Sequence, residues 1–252
     1  MQHKSIFTCA LIALISVLSI FATISCSNEE TPTVSNETNA LISKARRVGD
    51  MHNQLLNEVL TNLNGQSSRS GVQTLSDIHD YALSYIAQRS IATSSRSETV
   101  LSENQQIIRD LTAKEVPAIR QEMSVKEIEF VDRAIYSIEM QQQQAIDTLL
   151  IEAAESDLPT LHKEAVMNFL ATLQASEIYW DGNEEDWVEY LRTNLSAEDF
   201  EAFQLDTNAR ASQIAFADAY YMWWGTLGSG CNITVGVCCG AFGSLCTFLN
   251  TK

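Results

Sequence analysis

Between Gly71 and Gly182 the chain contains no glycine, and only Pro117 and Pro159 interrupt that stretch. A β-rich domain needs a turn every 8–12 residues or so, and turns draw on Gly, Pro, Asn and Asp. A stretch so poor in turn residues predicts helices. The apolar positions agree. Leu41, Ala45, Val48, His52, Leu55, Val59 and Leu63 recur at steps of three and four from Ala40 onward, the spacing of one helical face. "NGQSSRSG" (Asn64 to Gly71) reads as a loop, Leu75 to Arg89 as a second helix, and "ATSSRSET" as another loop.

A third helix ends or kinks at Pro117. "SVKE" (Ser124 to Glu127) is a capping box. It opens a stripe of Val125, Ile128, Val131, Ile135, Ile138, Ala145, Leu149 and Ala153, with the "QQQQ" run (Gln141 to Gln144) as a solvated part of the helix. Asp157 and Pro159 start the next helix, which buries Val166, Phe169, Leu170 and Leu173. "DGNEED" (Asp181 to Asp186) reads as a turn, "SAED" (Ser196 to Asp199) as a cap, and Thr207 to Trp224 as a last helix. The expectation is an all-α, irregular bundle of about seven helices over residues 39–224.

The N-terminus has a different character. Lys4 precedes an apolar run from Ser5 to Ala22, and no acid occurs before Glu29, the pattern of a secretory signal peptide over residues 1–25. "TISC" (Thr23 to Cys26) resembles the lipobox of bacterial lipoproteins, with Thr23 standing where an aliphatic residue is usual. The acids of "SNEE" resemble the export signals of surface lipoproteins in Bacteroidetes-like bacteria. The resemblance implies acylation of Cys26, a lipid bilayer as partner, a tether over residues 26–38 and an outer-membrane, surface-exposed location. Two kinds of acyl chain on one residue make a stable anchor.

With 32 Asp and Glu against 16 Lys and Arg, the net charge is −16, which repels phosphate and excludes nucleic acid as a partner. A hydrophobic content of 45% is ample for a core. No nucleophile elbow, phosphate-cradling glycine loop or metalloprotease motif occurs, so an enzyme is the least favoured class and no cofactor is expected.

Two echoing segments, "GDMHNQLL" and "SDIHDYAL", offer a candidate metal site built on His52, His79 and Asp77, with Asp50 and Asp80 nearby. The competing expectation is two core histidines near helix starts, with acids placed for the helix dipole. Tyr179, Trp180 and Trp187 form a candidate aromatic binding surface for sugars, peptides or cations, set against plain core packing.

The tail, residues 225–252, holds Cys231, Cys238, Cys239 and Cys246. An even number of cysteines in an exported chain predicts two disulfides. Bridges between residues seven apart need a turned, non-helical tail, because a helix holds them about 10.5 Å apart along its axis. Against this, Gly236, Gly240 and Ser244 stand four apart, similar to the small-residue series of glycine-zipper membrane peptides. The leading functional expectation is a surface lipoprotein with a helical binding or scaffolding domain for an unknown protein or glycan ligand. The second is a membrane-active or bacteriocin-like effector that uses the tail.

Overall fold

In the computed structural model the described residues are 35–67, 73–90, 98–204, 210–230 and 232–249. Cys26 with its signal and most of its tether, residues 68–72 and 91–97 of the expected loops, and Cys231 lie outside them. Every regular element among the described residues is helical, and ten helices occur. They are α1 (Asn36–Ser67), α2 (Leu75–Arg89), α3 (Glu98–Thr112), α4 (Val116–Arg120), α5 (Val125–Glu139), α6 (Gln144–Glu155), α7 (Thr160–Asn194), α8 (Ala197–Gln204), α9 (Arg210–Gly228) and α10 (Ile233–Leu249).

The local signals explain most starts and stops. Ser124 accepts from the Glu127 amide while Glu127 reaches back to the Ser124 amide, closing the expected capping box. Thr74 and Asp77 do the same for α2. Ser196 accepts from the Asp199 amide at 3.1 Å at the start of α8. Pro117 sits in the first turn of the short α4, where its missing N–H costs nothing.

Three expectations about boundaries are corrected. α1 begins at Asn36, inside the expected tether, and Thr38 is already buried. The stripe from Val125 to Ala153 is two helices. The chain breaks at Gln141, whose φ of 56° lies in the left-handed region, so "QQQQ" is the junction and Val125 is 85% exposed. "DGNEED" is no turn, because α7 runs through it without interruption. Tyr179, Trp180, Trp187, Tyr190 and Leu191 are buried on both sides of it. Their packing outweighs a glycine penalty of about 1 kcal/mol.

The core has two adjoining regions. Ile42 and Ala45 of α1, α4 to α6, and Ala165 to Leu173 of α7 form one. The later half of α1, α2, Tyr179 to Leu195 and α10 form the other. Helices α1, α7 and α9 contribute to both and so join them.

The tail overturns its expectation most clearly. It is a helix, and Val237, Cys238, Cys239, Phe242, Leu245, Phe248 and Leu249 are buried. Cys238, Cys239 and Cys246 are thiols, and their shared helix keeps them from bridging one another. α10 packs on α9 and reaches α1, α2 and α3. The small-residue series serves this intramolecular approach. A Cβ on Gly225 of α9 would lie 2.8 Å from the Cys239 Cβ, and one on Gly236 would lie 2.7 Å from the Thr226 Oγ1. No helix among the described residues is long and apolar enough to cross a membrane.

Candidate functional site

The two histidines that drew notice in the sequence have separate fates. His52 is wholly enclosed. Its Nε2 lies 3.5 Å from Asp218 Oδ2, and both side chains have no exposure. Asn53 donates from Nδ2 to the Ala175 carbonyl at 2.8 Å. That fixes the amide and turns Asn53 Oδ1 toward His52 Nδ1 at 3.0 Å. An acceptor in that place requires the proton on Nδ1. Ser176 Oγ donates to Asp218 Oδ2. The Trp180 indole N–H is shared between Asp218 Oδ2 at 3.3 Å and Ser244 Oγ at 3.2 Å. Side chains from α1, α7, α9 and α10 thus meet on one carboxyl. Burial raises the Asp218 carboxyl above its ordinary range, opposed by His52, Ser176, Ser244 and Trp180.

This cluster has the composition of a Ser-His-Asp triad without its arrangement. Ser176 bonds the aspartate rather than the imidazole, and every member is closed off from solvent. Its role is to join helices.

His79 is at the surface, with a fifth of its side chain exposed. It lines a cavity of about 830 Å³ together with Asp80, Arg109, Tyr221, Phe242 and Cys246. α2 supplies His79 and Asp80, α3 supplies Arg109, α9 supplies Tyr221, and α10 supplies Phe242 and Cys246. The His79 ring stands 4.9 Å from the Phe242 ring at an angle of 54°. Asp80 Oδ1 lies 3.2 Å from His79 Nδ1 and forms an ion pair with Arg109 at 3.8 Å. The buried Phe242 makes an apolar floor, and the exposed Asp80 and Arg109 form a charged edge. Tyr221 lies across Gly243, where a Cβ would fall 2.1 Å from its ring. Burial, with Cys246 and Glu115 adding to it, pushes the Tyr221 phenol up to about 12. The thiols differ by position. Burial drives Cys238 up to about 12 and Cys239 higher still, whereas Cys246 is only partly buried.

The metal expectation is not met. Asp77 is occupied by the α2 capping box and held low by its bonds to Thr74. His52 is committed to Asp218. Among the described residues no group of three His, Cys, Asp or Glu side chains can hold a metal ion.

The aromatic surface is likewise corrected. Tyr179, Trp180 and Trp187 are core residues. Trp180 stacks on Phe248 at 5.0 Å, and the Trp187 N–H reaches the Tyr179 hydroxyl at 3.0 Å. No family model, curated protein or solved structure matches this chain.

The sequence pointed to His79 for the wrong chemistry and did not mark Arg109 as its neighbour. α3 and α10 come together only in the folded body, and neither segment carries a local motif that announces a cavity.

Proposed function

We propose that the chain is a lipoprotein anchored through Cys26 in the outer membrane, surface-exposed, with a helical domain that binds a small amphipathic ligand. The observation that carries the binding reading is the cavity beside His79. Its volume of about 830 Å³ falls in the range of small-molecule sites, roughly 300–1,000 Å³. An apolar body would rest on Phe242 and Tyr221. A polar head would meet the hydrogen-bonding edge of His79, Asp80 and Arg109. The lipobox-like "TISC" supports the anchor. The tail-driven effector has no comparable support, because α10 turns its large apolar side chains into the body.

Two measurements test the reading. Mass spectrometry of the N-terminal fragment is expected to find acylated Cys26; cleavage elsewhere with an unmodified Cys26 removes the anchor. Native mass spectrometry after incubation with a small-molecule extract is expected to show a retained amphipathic compound. Thr247→Trp, at the exposed mouth of the cavity, is expected to lose it. Equal retention by the variant places the ligand elsewhere.

A further inference from the structure

Thr112 and Thr247 line the cavity beside His79, and both have committed their hydroxyl protons to helix backbone. Thr112 donates to the Ile108 carbonyl at 2.8 Å, and Thr247 donates to the Gly243 carbonyl at 2.9 Å. A hydroxyl carries one proton, so each keeps only lone pairs for an occupant. His79 Nδ1 lies 3.2 Å from Asp80 Oδ1. A carboxylate there draws the proton of the neutral ring to Nδ1 and leaves the lone pair on Nε2. Asp80 and Glu115 complete this part of the lining, and carboxylates only accept.

The charges point the same way. Arg109 is the one guanidinium or ammonium among the described residues of the lining, and it pairs with Asp80 at 3.8 Å. Glu115 leaves the lining with one carboxylate in excess. Its side chain takes no part in capping α4. Tyr221 feels that charge, because Glu115 is among the groups that push its phenol up to about 12. The ring therefore stays neutral and keeps an electron-rich face. A net charge of −16 on the chain draws cations toward such an opening.

Given that the cavity is the binding site, as proposed above, we infer that its ligand is an amphipathic organic cation: a primary ammonium on an aromatic or aliphatic body. The three N–H donors of an ammonium match a lining of lone pairs and carboxylates. The body covers Phe242 and Tyr221, and the Tyr221 ring adds cation–π attraction. A carboxylate head would compete with Asp80 for Arg109 and would meet Glu115. An alcohol head brings a single proton. A quaternary ammonium brings the charge but no N–H.

The test is calorimetric titration of the folded chain, at neutral pH and low ionic strength, with phenylbutylamine, its trimethylammonium form, phenylbutanol and phenylbutanoate. The four share one body and differ in the head. Concentrations up to roughly 10 mM let millimolar complexes register. The amine is expected to bind about tenfold tighter than each of the others. Glu115→Gln is expected to weaken the amine about threefold and to spare the alcohol. Arg109→Gln releases Asp80 and is expected to tighten the amine by about the same factor. Both residues are exposed, and circular dichroism verifies the fold of the variants. Thr247→Trp is expected to block every probe. Silence from all four probes overturns the proposal and the cavity reading together. If the alcohol or the acid binds as tightly as the amine and is lost in Thr247→Trp, the cavity stands and the cation is overturned. The proposal also fails if the trimethylammonium form matches the amine, or if amine binding survives Thr247→Trp or ignores both charge variants.

Discussion

Asp218 shows what one buried carboxyl does at the residue scale. Its surroundings supply two donors to Oδ2 and an imidazole at 3.5 Å, yet Oδ1 receives no hydrogen bond. The raised carboxyl means that the folded chain holds this proton more tightly than the unfolded chain does, whose value is near 3.8. That contribution is complete below the unfolded value and is lost as pH rises through the folded one. Asp218→Asn removes the charge and keeps the shape. With its oxygen in the place of Oδ2, the new amide can still accept from Ser176 and Trp180. Urea unfolding at pH 5 and pH 8 should therefore show a variant at least as stable as the parent at pH 8, with a flatter pH dependence. A loss above about 2 kcal/mol at pH 8 would mean instead that the charged pair is required.

Glycine acts in opposite senses in different elements. On the α9–α10 contact Gly225 lets two backbones approach, and a methyl there would meet the Cys239 Cβ at 2.8 Å. On α7, Gly182 faces open space and only weakens the helix. Gly225→Ala is expected to destabilise by about 1–3 kcal/mol through overpacking, despite alanine's better propensity. Gly182→Ala is expected to stabilise by about 0.5–1 kcal/mol. Denaturant midpoints of the two variants check both signs, and a shift of the same sign in both would refute the packing account. The same contrast explains what was legible. "SVKE" and "SAED" carry their own hydrogen bonds and so could be read locally. "DGN" signals a turn locally, but Trp180 and Trp187 on either side commit the chain to a helix.

For the molecule as a whole, α10 is the last helix described and part of its interior. Val237, Phe242, Leu245, Phe248 and Leu249 are almost without exposure. Burial of each is worth about 1.5–3 kcal/mol, so together they rival the net stability of an ordinary domain, about 5–15 kcal/mol. Deleting the tail from Ser229 onward is expected to abolish cooperative unfolding and to expose apolar surface. Circular dichroism melts and dye binding report both. A truncated chain that still melts sharply near the parent's temperature would show that α10 is an accessory to the body.

The sequence by itself determined the helical class, most helix starts and the core-facing stripes. These depend on spacing and caps within a few residues of one another. It also marked the N-terminal signal and Cys26 as expectations. Tertiary structure alone decided the tail and the sites. Four cysteines and six glycines near one end of a chain suit a staple, a membrane helix or a core helix equally well. The choice depends on whether distant helices offer an apolar seat, and α1, α2 and α9 do. His52 and His79 sit in matching sequence contexts, yet one meets Asp218 in the interior and the other borders a cavity. No local pattern distinguishes them, because Asp218 beside His52, and Tyr221 and Phe242 beside His79, lie more than 100 residues further along the chain.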